Sequence, residues 1–135
     1  MPTSLQWLDS IRFDAAGLVP VLVQDADQHD MLMMAWMNAE ALRRTVELGE
    51  MVFWSRSRQE YWHKGATSGN TMQVVHWFAD CDTDCLLFQV RMNGPQAACH
   101  TGRRTCFHKR FHSDLQTFIE EGNPLFDPKQ VYSKG

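Results

Sequence analysis

Short hydrophobic runs separated by polar clusters occupy the first part of the chain and predict paired β-strands. Residues 18–24 are rich in Val and Leu, residues 30–37 are rich in Met, and polar residues 25–29 lie between them. Runs of this length, bounded by turn-forming residues, are typical of a β-hairpin. Pro20 has no backbone N–H, so we expect its strand to start there or to lie at a sheet edge.

The segment that follows carries the signals of a helix. Asn38 is a good N-cap, Glu40 lies where the helix dipole favours an anion, and Gly49 can close the C-terminus. We therefore predict a short helix at Ala39–Leu48.

The pattern of residues in the centre of the chain predicts further β-strands. Residues 51–56, 71–78 and 86–92 have strand composition. The alternation in residues 71–78 places four side chains on one face: Met72, Val74, His76 and Phe78. Residues 58–70 contain two glycines and almost no aliphatic residue, which indicates a long polar loop. Loops of that length are often functional.

A last helix signal lies near the end of the chain, where Ser113 and Gln116 resemble a capping box and Gly122 follows. With it, the elements predict the α+β class: a compact, mainly antiparallel β domain with one or two short helices. No repeat or linker divides the 135 residues, so we take residues 1–135 as a single domain.

Composition narrows the choice of function. Hydrophobic residues make up 44% of the chain, which is enough for a packed core, and five Trp with eight Met favour a homo-oligomer that buries more apolar surface. The net charge of -3 gives no reason to expect a nucleic-acid partner. No apolar run is long enough for a membrane span, and no secretion signal begins the chain, so we expect a cytoplasmic protein.

Three aspartates occupy alternate positions in the segment DCDTD. In an extended chain Asp80, Asp82 and Asp84 would line one face, and Cys81 would point to the other. Three like charges on one face repel one another unless a cation neutralises them, and carboxylate oxygens suit Mg²⁺ or Ca²⁺. A solvated acidic turn is the alternative, because exposed charges are common on protein surfaces. These residues alone leave both interpretations open.

Four cysteines lie within residues 81–106: Cys81, Cys85, Cys99 and Cys106. In a reducing compartment such a cluster indicates metal binding or catalysis rather than disulfides. The gaps fit a closed four-cysteine zinc site poorly, and in an extended strand Cys85 would lie roughly 13 Å from Cys81. Three cysteines and an open position are typical of catalytic zinc, whereas free buried cysteines behaving as small hydrophobes are the alternative.

Candidate contacts for a substrate lie beside these cysteines and in the polar loop. His100 adjoins Cys99, and histidine is the natural proton shuttle near neutral pH, so we take it as the candidate catalytic residue. His63 has a weaker claim, and the remaining histidines are interpreted as structural or surface residues. Glycines, cations and hydroxyls together suit a phosphate, although a solvated turn is the alternative. The candidate substrate-binding residues are Arg56, Lys64, Thr67 and Ser68.

Three motifs in this order resemble the phosphoribosyl-AMP cyclohydrolase family. They are SRSRQEYWHKGATSGN at 55–70, DCDTD at 80–84 and CHTGRRTCF at 99–107. The segments GLVPVLVQD, MLMMAWMN and GEMVFWSRSR extend the resemblance over residues 17–107. Two positions depart from the family pattern: Cys85 stands where a small apolar residue is expected, and Thr105 where serine is common.

The resemblance implies an enzyme of histidine biosynthesis that opens the purine ring of 1-(5-phosphoribosyl)-AMP by hydrolysis of the N1–C6 bond. It implies a homodimer whose zinc site is completed by cysteines of both chains. The implied zinc ligands are Cys81, Cys99 and Cys106, and the implied magnesium ligands are Asp80, Asp82 and Asp84. Because no pyrophosphohydrolase domain follows, as it does in some bifunctional relatives, we expect a single activity.

Two other classes of function remain open from the residues. In a binding module the cysteines would only hold the fold, and chelation would then unfold the domain. A zinc deaminase would release ammonia, but its His-x-Glu and Pro-Cys-x-x-Cys signature is absent from the sequence.

Overall fold

The computed structural model describes residues 5–94 and 96–126, and within them it shows an α+β fold with mostly antiparallel strands. The strands are β1 Val19–Asp25, β2 Met31–Met37, β3 Val52–Ser55, β4 Glu60–His63, β5 Met72–Ala79, β6 Leu86–Met92, β7 Lys109–His112 and β8 Thr117–Glu120. One α-helix, α1, spans Ala39–Leu48, and a 3-10 helix spans Gln6–Ser10. The predicted fold class is confirmed, whereas the 3-10 helix was not expected.

The largest sheet has four strands in the order β2-β1-β6-β5. The predicted hairpin of β1 and β2 is confirmed, and β5 also pairs with β6 in antiparallel fashion. The central pair, β1 with β6, is parallel. Of the two alternatives for Pro20, the strand start is confirmed, because β1 begins at Val19, whereas the sheet edge is wrong, because β1 lies between two neighbours. Pro20 is tolerated there since the pairing with β6 begins only at Val21.

The core lies on one face of this sheet. Alternate residues of β1 and β6 are buried, as expected for strands with one face against the core. The largest fully buried side chains are Phe53, Phe88, Leu32, Met37, Leu42, Met51, Met72 and Leu86. Among the described residues, no helix is long and apolar enough to span a membrane.

Strand β5 departs from the predicted alternation at a bulge. The register with β6 shifts between Val74 and His76, so one extra residue moves the following side chains to the opposite face. Met72, Val74 and Trp77 therefore pack on the core, whereas His76 and Phe78 are exposed. The prediction that His76 and Phe78 share a face with Met72 is wrong for this reason.

Helix α1 forms as predicted and is tied to β3. The Asn38 side chain accepts a hydrogen bond from the Ala41 N–H at 2.8 Å, and Gly49 ends the helix at φ 74°. The buried Thr45 hydroxyl donates to the Ala41 carbonyl at 2.9 Å and accepts the Val52 N–H at 3.0 Å. Thr45 thus fixes the distance between the helix and the start of β3.

The polar loop predicted at 58–70 contains a strand, so that prediction is wrong in part. Strand β4 pairs with β3, and the hairpin turns at residues 56–59. Aromatic pairs across it stabilise the hairpin: Trp54 with Tyr61, at 4.9 Å between ring centroids, and Phe53 with Trp62, at 5.4 Å. Only residues 64–70 remain as an irregular loop after β4.

The second helix predicted near Ser113 is absent from the described part of the chain, which forms the hairpin of β7 and β8 instead. Gln116 has φ 52°, and its side chain donates to the Ser113 carbonyl at 2.7 Å. This is turn chemistry rather than helix capping. Phe111 and Phe118 pack edge to face across the hairpin at 5.3 Å and are both exposed.

Candidate active site

A cavity of about 1000 Å³ opens beside β4 and the loop that follows it. Five of the site residues predicted from the sequence line it: Lys64, Thr67, Ser68, His100 and Cys106. Side chains outside the predicted site residues complete the wall, among them Met33, Ser57, Arg58, Glu60 and Tyr61. The structure therefore brings the polar loop and the second cysteine motif to one site.

The loop at residues 98–104 is closed by backbone hydrogen bonds, which is why Cys99 and Cys106 meet. The Ala98 N–H donates to the Arg104 carbonyl at 2.9 Å, and the Cys99 N–H donates to the Arg103 carbonyl at 3.1 Å. The Cys106 N–H then donates to Leu32 in β2 at 2.7 Å. The loop is thus docked on the main sheet with its two cysteines side by side.

Further contacts fasten this loop to β2. Arg104 forms an ion pair with Asp30 at 2.8 Å, and the pKa of Asp30 is lowered chiefly by that hydrogen bond. The Thr105 hydroxyl donates to the Met31 carbonyl at 2.7 Å and accepts the Phe107 N–H at 3.0 Å. Thr105 therefore keeps a hydroxyl at a position where the resemblance led us to expect serine.

A buried ammonium group lies beside the two cysteines. Lys64 is 3% exposed, and its Nζ atom donates to the Ala98 carbonyl at 2.5 Å. Burial lowers the pKa of Lys64, and the charges of Cys106 and Cys99 act in the opposite direction. Cys106 is exposed as a residue, yet desolvation of its thiol, with the neighbouring Cys99, raises the pKa of that thiol to about 12. The Lys64 ammonium is therefore close enough to offset the negative charge of a thiolate at Cys99 or Cys106.

Cys99 is itself buried, with a hydroxyl group and an imidazole ring beside its sulfur. The Thr101 hydroxyl donates to the Cys99 sulfur at 3.1 Å, and the His108 Nε2 atom lies 3.8 Å from it. Thr101 was not predicted from the sequence, although a hydroxyl two residues after a cysteine is a local signal. His108 was interpreted as a structural or surface residue, because nothing in the sequence indicated its contact with Cys99.

The acidic segment is a turn, so the prediction of an extended strand there is wrong. Strand β5 ends before Asp80, the Asp80 N–H donates to the Cys85 carbonyl at 3.0 Å, and Thr83 has φ 57°. Asp80 Oδ1 accepts the Asp84 N–H at 3.0 Å. The separation of roughly 13 Å between Cys81 and Cys85 assumed an extended strand, so it does not apply to this turn. Only the family resemblance therefore excludes Cys85 from the zinc ligands. Asp80, Asp82, Asp84 and Cys81 are all exposed in this turn.

Two further candidates have different surroundings. Arg56 does not line the main cavity: it lies in an adjoining cavity of about 450 Å³, with its guanidinium 4.5 Å from the centre of the Trp36 ring. His63 lines the main cavity, and its Nε2 atom lies 2.7 Å from the Glu50 carboxylate. Glu50 was missed, because nothing near it in the sequence links it to residue 63.

The cysteines and aspartates suit the metals that the resemblance implies in their donor chemistry. Thiolates suit zinc and carboxylates suit magnesium, and all four cysteines are free. In the described part of one chain, however, no three His, Cys, Asp or Glu side chains are grouped so that they could hold a metal ion. Cys99 and Cys106 are adjacent, whereas Cys81 lies in the exposed turn after β5.

Comparison with known proteins matches these motifs to one family. The family model for phosphoribosyl-AMP cyclohydrolase matches residues 33–108. This segment runs from within β2 to the residue before β7 and includes every lining residue of the cavity named above. The matched segment also contains both cysteine motifs and the acidic turn.

Curated relatives match over nearly the whole chain. The phosphoribosyl-AMP cyclohydrolase of Methylibium petroleiphilum is 50% identical over 130 residues, covering 95% of this chain and 99% of the relative. The enzymes of the same name from Azoarcus sp. and Pelotomaculum thermopropionicum are 47% and 51% identical, covering 98% and 94% of this chain and 100% and 96% of the relatives. The chain therefore belongs to the phosphoribosyl-AMP cyclohydrolase family.

Proposed function

We propose that this protein opens the purine ring of 1-(5-phosphoribosyl)-AMP by hydrolysing the N1–C6 bond, as a step of histidine biosynthesis. The product is the formimino-aminoimidazole carboxamide ribonucleotide. One observation carries the assignment to this site: the cavity of about 1000 Å³ is lined both by the polar loop and by the His100–Cys106 segment. Its volume suits a ligand of nucleotide size.

Cys81, Cys99 and Cys106 are the proposed zinc ligands. The adjacent Cys99 and Cys106 supply two thiolates from one chain, and we propose that Cys81 of a second copy supplies the third. Three thiolates and one Zn²⁺ leave a net negative charge of about one, and the buried Lys64 ammonium is placed to offset it. Zinc bound here would make a water molecule nucleophilic near neutral pH.

Asp80, Asp82 and Asp84 are the proposed magnesium ligands. Asp80 already uses one oxygen to accept N–H groups within the turn, which fixes its side chain, and the other two carboxylates lie exposed nearby. Hard oxygen donors that leave room for water ligands suit Mg²⁺. We assign this site to binding a phosphate group rather than to producing the nucleophile.

His100 is the proposed catalytic residue. The ribosyl group on N1 makes C6 of the substrate electrophilic, so water can add there. An imidazole nitrogen of His100, which is exposed in the cavity wall, accepts the proton that the attacking water loses. The N1–C6 bond then breaks, N1 takes up a proton, and C6 keeps its amino group as a carboxamide. No ammonia is released, unlike the reaction of a deaminase.

The remaining substrate contacts are assigned by position. Thr67 and Ser68 present hydroxyls to the main cavity, and Lys64 adds a positive charge at its base. Arg56 lies in the adjoining cavity, stacked on Trp36, so we assign it to a phosphate or ribose at the far end of the substrate.

A homodimer is part of this proposal. The β7–β8 hairpin and the segment just before it expose several large apolar side chains: Phe107, Phe111, Leu115, Phe118 and Ile119. Exposed apolar clusters of this kind mark interaction surfaces, and a second copy would also supply the Cys81 that each zinc site needs. The free cysteines agree with a reducing cytoplasm as the place of action.

The decisive experiment is to follow ultraviolet absorbance while purified, zinc- and magnesium-loaded protein acts on phosphoribosyl-AMP. Opening of the purine ring changes the chromophore, so we expect an absorbance change that a zinc chelator abolishes. Circular dichroism in the same chelator should show a folded protein, since a catalytic metal is lost before the structure. No absorbance change with folded, metal-loaded dimer would refute the proposed reaction, and unfolding on chelation would favour a structural zinc site.

A further inference from the structure

A buried histidine that the proposed reaction does not use lies against the Cys99 sulfur. His108 is 8% exposed and Cys99 is 4% exposed, so their contact is shielded from water. The Nε2 atom of His108 lies 3.8 Å from the Cys99 sulfur, within range of a hydrogen bond to sulfur. A hydrogen bond in such a shielded place is electrostatically stronger than one in water.

We propose that His108 is a positioning residue for Cys99, whose Nε2–H donates to the sulfur and fixes the direction in which it meets a metal. The inference rests on the proposed function, because it takes Cys99 as a zinc ligand. A ligating thiolate has no proton and can only accept hydrogen bonds. His108 therefore carries a proton on Nε2 in this arrangement, and the Thr101 hydroxyl supplies a second donor to the same sulfur.

The other ring nitrogen agrees with this tautomer. Nδ1 of His108 is buried and has no hydrogen-bond partner among the described residues. With the proton on Nε2, the unpartnered atom is a bare acceptor. The opposite tautomer would bury an unpaired N–H group, and orphaned N–H groups are rare in folded proteins.

The backbone holds His108 in place for this role. Its carbonyl accepts the Glu121 N–H at 2.7 Å, which fixes the residue at the base of the β7–β8 hairpin. Outer partners of metal ligands orient the ligand, and their loss typically weakens metal binding about 10–100-fold. We therefore expect His108 to act on zinc affinity.

The test is the zinc affinity of wild type, His108→Phe and His108→Gln, measured by competition with a chromogenic chelator. We expect His108→Phe to bind zinc about 10–100-fold more weakly. The amide N–H of glutamine can replace Nε2–H, so His108→Gln should recover most of the affinity. His76→Phe, in the exposed part of β5, is the control and should bind zinc like wild type. In cobalt-substituted protein, the thiolate-to-cobalt absorption band should shift in His108→Phe alone.

Each outcome decides a separate claim. Wild-type affinity and an unshifted band in folded His108→Phe would overturn the role of His108 while leaving the zinc site intact. Absence of zinc binding in wild type, or binding by Cys99→Ala as tight as in wild type, would instead refute the proposed ligands. If circular dichroism shows that His108→Phe does not fold, His108→Gln is compared with His108→Asn, whose amide is too short to reach the sulfur. Weaker zinc binding by the Asn variant supports the role, and equal binding overturns it.

Discussion

The ammonium group of Lys64 donates a 2.5 Å hydrogen bond to the carbonyl of Ala98, the residue before Cys99. The bond joins the end of β4 to the cysteine loop across 34 positions of sequence, and Lys64 is almost fully buried. A buried cation is stable only with compensating partners. Here the partners are this carbonyl and the two neighbouring sulfurs, so Lys64 links the geometry of the cavity to that of the cysteines.

Replacement of Lys64 by Met should therefore weaken the proposed zinc site as well as the binding of substrate. The Ala98 carbonyl loses its partner, which typically costs about 1–3 kcal/mol in the free energy of unfolding. The positive charge beside Cys99 and Cys106 is also lost, so we expect weaker zinc retention. Urea unfolding and zinc content after dialysis measure the two effects. Lys109→Met, on exposed β7, is the control, and wild-type zinc content and stability in Lys64→Met would contradict the prediction.

Gly65 is required by the close approach of the loop to β5. It has φ +89°, and a Cβ atom there would lie 2.2 Å from the Thr71 backbone nitrogen. Gly69 also has a positive φ, but a Cβ atom there meets nothing within 4 Å. We expect Gly69→Ala to cost about 1 kcal/mol of backbone strain and Gly65→Ala to cost clearly more and to distort the cavity. Thermal melts and Michaelis constants of the two variants test this, and equal losses would refute it.

Thr45 offers a test of how α1 supports the site. Thr45→Val removes the hydroxyl that bridges Ala41 and Val52 in a fully buried place. The unpaired Val52 N–H should lower the free energy of unfolding by about 1–3 kcal/mol. Thr45→Ser keeps the hydroxyl and loses one methyl group, so we expect it to cost only about 0.8 kcal/mol. The prediction fails if urea unfolding shows the Val variant as stable as the Ser variant.

The sequence predicted elements well where local signals agreed with tertiary contacts. Helix α1 has its Asn38 cap, its Gly49 end and its predicted bounds, and β6 also has its predicted bounds. Two hairpins were missed: β4 lies in a segment interpreted as a polar loop, and β7 and β8 lie where Ser113 and Gln116 were interpreted as a helix cap. Both are held by cross-strand aromatic pairs, Trp54 with Tyr61 and Phe111 with Phe118, and pairing between strands is not visible in a local window.

In the candidate site, too, the sequence predicted features with a local signal and missed those that depend on contacts between distant residues. The sequence motifs identified Lys64, Thr67, Ser68, His100 and Cys106, and the structure places all five on one cavity. They did not reveal that Lys64 is buried, or that His108 contacts Cys99, since both facts depend on contacts over many residues. The extended conformation assumed for 80–84 failed because Asp80 accepts N–H groups of its own turn.

The apolar face of the β7–β8 hairpin gives a test of the proposed dimer. Phe111 and Phe118 are 47% and 63% exposed in one chain. If they lie in the interface, the double variant Phe111→Ser with Phe118→Ser should shift the protein towards monomer, as measured by light scattering during size-exclusion chromatography. Leu48→Ser, at an exposed residue of α1, is the control. A double variant as dimeric as wild type would place the interface elsewhere, and a monomeric wild type would refute the dimer.

Mixing two inactive variants tests whether zinc ligands are shared between chains. Cys81→Ala and Cys99→Ala should each lose activity as homodimers, because every site then lacks one ligand. In a heterodimer, one site combines Cys81 of one chain with Cys99 and Cys106 of the other. If equal amounts of the two variants exchange chains at random, about half of the dimers are heterodimers, and each heterodimer has one intact site and one defective site. About one quarter of wild-type activity should therefore return. Zinc content should rise in the same proportion. If the mixture stays inactive after exchange is verified by mass spectrometry of differently tagged chains, the sites are not shared in this way.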